Sequence, residues 1–262
     1  MIYNTTLKGG GSSYSLFGLT AEQLDGTISN GQIVYPANTP APDLSSLNTY
    51  VQNQFSGRFN HRTDITGVPK LGSGKPGYQT FYRTFMYCTN ITGCDLSTTM
   101  DFSDLNNNVF EYCFAYSGVQ SADLRGLVSI GGYYVCSYMF YNCTSLTSVN
   151  ISNLTTILSG QGGCMNAMFR GCTSLTTVRF NSLATIYPSG CLRYMFADCT
   201  SLQTLYFPAM TTPGGSGTFD YMLSGVTGCT VHFPSAMSST MSSYSSVTNG
   251  FSGTSTTVLF DL

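Results

Sequence analysis

Three stretches of the chain superimpose almost residue for residue, and this constrains the fold more than any other feature. The first is Met139-Phe140-Tyr141-Asn142-Cys143-Thr144-Ser145-Leu146-Thr147-Ser148-Val149-Asn150-Ile151; the others run over residues 168–180 and 195–207. Each reads M-F-x-x-C-T-S-L-x-x-V/L-x-I/F. Weaker copies flank them, from Phe85 through Cys88 to Leu96, from Phe114 through Ser117 to Leu124, and around Cys229-Thr230-Val231-His232-Phe233-Pro234. With Cys88, Ser117, Cys143, Cys172 and Cys199 taken as one position, the spacings are 29, 26, 29 and 27 residues. A unit this short cannot enclose a core alone, so successive copies must stack and bury one another's apolar sides.

Within the unit, L-x-x-V/L-x-I/F turns Leu146, Val149 and Ile151 inward and Thr147, Ser148 and Asn150 outward, the two faces of a short strand. Each copy then adds one strand to a parallel sheet. A second apolar pair recurs downstream (Leu127 and Ile130, Leu154 and Ile157, Leu183 and Ile186), placed to close the core on the return side. Glycine-rich corners such as Pro188-Ser189-Gly190 and Pro213-Gly214-Gly215 lead to the next Met-Phe pair. The fold class expected is an α/β repeat solenoid, predominantly β, with about six repeats.

Residues 79–234 form the solenoid in this reading, and residues 1–78 an irregular N-terminal region, either a cap or an attachment module. Residues 235–262 form a C-terminal cap. A short helix is expected between Leu44 and Phe55. Another is expected after a Ser235 N-cap, with Met237, Met241 and Tyr244 at i, i+4 and i+7, covering the last repeat's open edge.

The repeat resembles that of the BspA-type leucine-rich repeat family, approximately A-F-x-x-C-x-S-L-x-x-I/V-x-I/L-P, and its period falls in the window of 20–29 residues known for leucine-rich repeats. The resemblance covers about residues 80–234. Met stands where the family has Ala before Phe, and Pro follows the strand only at Pro208 and Pro234. The closing segment, from Val231 to Leu262, resembles that of repeat proteins from gut bacteria and their phages. These resemblances imply a binding or structural protein and no enzymatic activity.

Composition narrows the partners. Only 8% of the residues are charged and the net charge is −2, against about 25% charged in an average soluble protein. Such a surface has no long-range field for phosphate backbones or anionic lipid, so neither nucleic acid nor membrane insertion is expected. The first ten residues lack the basic and apolar regions of a secretory signal, so either a leader has been removed or the protein leaves its cell without one.

The ten cysteines follow the repeat and form no C-x-x-C pair, and neither His61 nor His232 has cysteine neighbours at zinc-finger spacing. No metal and no cofactor is expected. Cys88, Cys143, Cys172 and Cys199 read as a ladder of packed thiols, and Cys136, Cys164 and Cys191 suggest a second; both are expected to be mostly free. The Met-Phe pairs keep one place in every repeat and read as core. Gly72-Ser73-Gly74-Lys75-Pro76 lacks the first glycine of a phosphate loop and has Pro76 in place of its Ser or Thr. Most Asn-x-Ser/Thr triplets fall inside the repeat, where a glycan would clash. With two histidines and two glutamates in the chain, no catalytic residues stand out.

The outward position before the last strand residue reads Asp95, Asp123, Asn150, Arg179, Tyr206 and His232. This column would span about 24 Å at strand spacing. Its chemistry changes from repeat to repeat, as a recognition surface requires, although solvated strand residues would look the same. Tyrosines, among them Tyr82, Tyr87, Tyr112, Tyr116, Tyr133, Tyr134, Tyr138 and Tyr141, enrich the early repeats and add rigid area with polar tips. Two settings fit: a phage virion protein held to other virion proteins through residues 1–78, or a bacterial surface adhesin. In either, a host-surface protein or glycan is the partner, the location is the virion or the extracellular cell surface, and self-association stays open.

Overall fold

The computed structural model describes residues 26–29, 32–45, 50, 52–102, 107–158, 163–215, 217–242, 251 and 255–262. Near the start, β1 (Thr27–Ser29) and β2 (Gln32–Val34) form an antiparallel pair, and β3 (Thr39–Pro40) pairs in parallel with β4 (Ile65–Thr66). Beyond them the chain coils, and each coil crosses three sides.

The first side is the strand expected from the repeat. Strands β5 (Gly93–Asp95), β6 (Ser121–Asp123) and β8 (Ser148–Asn150) form one parallel sheet. Strands β10 (Thr177–Arg179), β12 (Thr204–Tyr206), β14 (Thr230–Phe233) and β15 (Thr257–Phe260) form another. The two meet where β8 lies beside β10. The second side was visible in the sequence only as an apolar pair. It is a further parallel sheet of two-residue strands, β7 (Ser129–Ile130), β9 (Thr156–Ile157), β11 (Thr185–Ile186) and β13 (Thr212–Pro213), with Ile130, Ile157 and Ile186 in register and fully buried.

The third side has no regular element. It is a run of overlapping β-turns. In the coil holding Cys143, the N–H groups of Ser137, Met139, Tyr141 and Cys143 donate to carbonyls three residues back. Those of Cys136, Tyr138, Phe140 and Asn142 donate across to Cys164, Asn166, Met168 and Arg170. Alternate backbone groups thus serve the turn and the stack, leaving few polar atoms to satisfy. Every second turn has a left-handed residue at its third position, as a type II turn requires, so left-handed residues recur every fourth position: Tyr134, Tyr138 and Asn142 in this coil, Gly190, Tyr194 and Asp198 two coils on. The result is a predominantly β solenoid.

The same backbone pattern begins upstream, at Asn53, Gly57 and His61, whose N–H groups donate to Tyr78, Tyr82 and Met86. The helix expected between Leu44 and Phe55 partly falls outside the described residues, at 46–49 and 51. From residue 52 onward the chain makes turns, because alternate N–H groups are spent on the next coil and the rest close turns three residues back, so none is left for i→i−4 bonds.

The core runs through the middle of the stack. Phe59, Phe85, Phe114, Phe140, Phe169 and Phe196 are fully buried, each ring parallel to the next at 5.2–5.6 Å. Burial contributes about 1.5–3 kcal/mol per ring, and stacking roughly 0.5–1.5 more. Met139, Met168 and Met195 pack beside them, fully buried. At the C-terminal end a 3₁₀ turn, Ser235–Met237, leads into α1 (Ser238–Ser242), with Met237 and Met241 buried against the last coil. Ser235 is not the cap: Pro234 holds that place without a side-chain bond, and Tyr244 lies outside the described residues.

Candidate recognition surface

The register brings the outward column together in two groups. Asp95, Asp123 and Asn150 stand side by side on β5, β6 and β8, and Arg179, Tyr206 and His232 on β10, β12 and β14. Bridges at Asp43, Lys70 and Asp95 continue the column upstream, with Lys70 and Asp43 3.4 Å apart as an exposed ion pair. The sequence signal for these two was Asp43-Leu44 and Lys70-Leu71, which match Asp95-Leu96 and Asp123-Leu124.

The two groups differ in what their side chains do. Oδ1 of Asp43, Asp95, Asp123 and Asn150 accepts the N–H two residues on, from Ser45 (3.0 Å), Ser97 (3.1 Å), Arg125 (3.2 Å) and Ser152 (3.4 Å). These are Asx turns, which end the strand and turn the coil. Asp123 also holds Arg125, with Nη2–Oδ2 2.6 Å, and the Arg125 hydrogen bonds keep its carboxyl below the ordinary aspartate value. The acidic half of the column is therefore occupied with turning the chain.

The other half is a stack. The Arg179 guanidinium lies 4.5 Å from the centroid of the Tyr206 ring and donates through Nε to Asn181 Oδ1 at 2.8 Å. The Tyr206 and His232 rings are parallel at 4.6 Å, and His232 Nδ1 lies 2.9 Å from Asp261. Arg179 is exposed; Tyr206 and His232 are half-buried. These planar groups form a rigid strip across three rungs, with donors and acceptors at its rim.

The ladder thiols point the other way. Cys88, Cys143, Cys172 and Cys199 are fully buried, and each Sγ donates to the carbonyl of a phenylalanine one rung back: Phe59 (2.9 Å), Phe114 (3.0 Å), Phe140 (3.2 Å) and Phe169 (3.0 Å). Burial pushes Cys88 and Cys199 up to about 12 and Cys143 to about 11. In the second set, Cys164 and Cys191 hold equivalent places three residues before Ala167 and Tyr194, and Cys164 Sγ donates to the Gly132 carbonyl at 3.0 Å. The two neighbouring thiols shift each other, Cys164 downward and Cys191 upward. Cys136 sits one position further along, level with Met165 and Leu192.

The turn side carries a second surface. Seven tyrosines, Tyr87, Tyr112, Tyr116, Tyr134, Tyr138, Tyr194 and Tyr221, hold left-handed backbone at positions that other coils fill with Gly or Asn, as at Gly57, Asn142 and Gly163, or with other side chains, as at Arg83, Ala167 and Asp198. For a side chain of that size the conformation costs about 1 kcal/mol each. His61, Tyr87 and Tyr116 stack at 4.4 and 4.7 Å, Tyr112 and Tyr138 at 4.6 Å, and Tyr194 and Tyr221 at 5.0 Å. Tyr141 joins the first two columns edge-on. Arg83, Arg170 and Arg193 lie against tyrosine rings of the same face. Gly163 follows Tyr134 in its column because a Cβ there would stand 2.8 Å from the Tyr134 ring.

Among the described residues no three His, Cys, Asp or Glu side chains gather as a metal would need, and no helix is long and apolar enough to cross a membrane. No curated protein gives a significant match to the chain. The model of the BspA type leucine rich repeat region matches residues 82–191 and 111–245, in six copies. The matched segment covers strands β5 to β14, the phenylalanine ladder from Phe85 to Phe196 and the thiol positions from Cys88 to Cys199, and it spans more than half of the sequence: the chain belongs to the BspA-type leucine-rich repeat family.

Proposed function

We propose that the protein is a non-enzymatic recognition scaffold displayed on a phage virion, as a tail-tip, fibre or capsid decoration subunit, and that its strand face contacts a protein or glycan of the host surface. The observation that carries this reading is the strip of Arg179, Tyr206 and His232. Planar groups fixed against one another lose little freedom on binding, and Arg and Tyr are the residues that dominate contact energies. The sparse charge of the chain supports display in a crowded exterior, where an uncharged hydroxyl-rich face gathers few non-specific ion pairs. In this reading residues 1–78, whose last part from Asn53 onward forms the first coil of the stack, make the attachment to other virion proteins.

Mass spectrometry of purified particles tests the setting. The chain is expected in stoichiometric amount; its absence, with a leader encoded upstream in a longer reading frame, would make it a bacterial surface adhesin. Host-cell binding by an Arg179→Ala/Tyr206→Ala variant tests the face. A loss of tenfold or more is expected, and unchanged binding would remove the strand face from the account.

A further inference from the structure

We propose that the turn side is a second binding surface, separate from the strand face, and that it takes a linear neutral polysaccharide laid along the stack. The first ground is the backbone. Seven tyrosines occupy left-handed positions although the fold accepts Gly or Asn there, as at Gly57 in the column of Tyr112 and Tyr138, Asn142 and Gly171 in that of Tyr87 and Tyr116, and Gly163 in that of Tyr134. Gly and Asn adopt this conformation at least cost. The costlier residue is kept on the turn side, and residues held in such conformations cluster at ligand sites.

The second ground is continuity. From His61 through Tyr87, Tyr116 and Tyr141 the rings touch one after another. Arg170, 6.0 Å from the Tyr141 ring and 5.6 Å from that of Tyr194, carries the surface on to Tyr221. At about 4.8 Å per rung this path over seven coils is roughly 29 Å long, too long for a small ligand and suited to a chain.

The third ground is chemistry. Because the rings stack face to face, they offer outward their edges and phenol hydroxyls, repeated at the rung spacing, with guanidinium groups between them. This comb of donors suits the hydroxyl and ring oxygens of successive sugar units. The charges on the face nearly balance, Arg83, Arg170 and Arg193 against Glu111, Asp198 and Asp220, and Arg170 is paired with Asp198 at 3.0 Å, so the ligand is neutral rather than acidic. Among the described residues the exposed aliphatic side chains, Val34, Val68, Leu259 and Leu262, lie elsewhere. The face therefore lacks the aliphatic centre of a typical protein interface.

Affinity gel electrophoresis with barley β-glucan, galactomannan and arabinoxylan embedded in the gel tests this, with a Tyr116→Asn/Tyr138→Asn variant beside the wild type. Asn adopts the left-handed conformation at less cost than Tyr and already holds the place of Tyr116 one coil on, at Asn142, so the variant relieves strain. Its thermal midpoint is expected to stay level or rise while its retention falls at least tenfold. The Arg179→Ala/Tyr206→Ala variant is expected to be retained like the wild type, which separates this surface from the strand face. Failure of the wild type to be retarded by any of the three, equal retention of the Asn variant, loss of retention in the strand-face variant, or a clear drop in the Asn variant's midpoint would each overturn the proposal; the last would mean that the tyrosines are kept for stacking alone.

Discussion

The Sγ of Cys172 lies 3.2 Å from the carbonyl oxygen of Phe140, thirty-two residues earlier in the chain and one rung away. The thiol is small enough for the packed corner and donates a hydrogen bond along the stack, which explains why cysteine recurs there without disulfides. At Ser117 a hydroxyl takes the place and touches Cys143 Sγ at 3.5 Å.

Burial holds these thiols protonated: Cys88 and Cys199 are pushed up to about 12 and Cys143 to about 11, from an ordinary value of 9. Iodoacetamide at pH 8 is expected to label them at least a hundredfold more slowly in the native protein than in urea, as read by mass spectrometry. The linkage has a definite sign. A raised thiol pKa gives stability that is complete below pH 9 and lost as pH rises toward 12, so the urea midpoint should fall between pH 9 and 11. Rapid native labelling would show that the ladder is open to solvent.

Arg62 occupies the thiol position of the first coil. It is 1% exposed, 2.7 Å from Asp64 and 3.5 Å from the Tyr35 ring centroid. Replacing Asp64 by Asn removes the charge paired with that buried cation and should cost about 3 kcal/mol, measured by urea denaturation. Burial raises the Asp64 carboxyl, but the hydrogen bonds of Arg62 and Thr39 and the Arg62 charge outweigh it and leave the pKa below 3.8. The contribution is thus present above the ordinary aspartate range and lost as pH falls below it. The Asn variant should show a flatter stability profile between pH 5 and 2; an unchanged profile would place the acid sensitivity elsewhere.

Phe140 stacks between Phe114 at 5.4 Å and Phe169 at 5.6 Å. Phe140→Ala removes both contacts and leaves a cavity, so a loss of about 3–5 kcal/mol is expected. Arg179→Ala, on the surface, should change stability by less than about 0.5 kcal/mol. Equal effects from the two would contradict the assignment of core and face.

The strand side was legible because L-x-x-V/L-x-I/F fixes both period and direction, and from it the column Asp95 to His232 follows directly. The turn side was not, because its period is neither 2 nor 3.6. The left-handed positions recur every fourth residue, and Tyr138, Tyr194 and Tyr221 hide the glycine signal that Gly163 and Gly190 display. The first coil was hidden because Arg62 replaces the cysteine on which the alignment was anchored. The double duty of Asp95 and Asp123 was written in Asp95-x-Ser97 and Asp123-x-Arg125, but an Asx turn and a ligand contact use the same residue types, and only geometry separates them.

If each coil touches only its neighbours, a whole coil can be removed without disturbing the rest. Deleting residues 168–194, 27 residues, joins Ala167 to Met195 in register, so that Ala167 takes the place of Tyr194. Urea denaturation followed by circular dichroism should show one cooperative transition with a slope lower by about a tenth and an unchanged native spectrum. A deletion protein without a cooperative transition would contradict the one-dimensional stack.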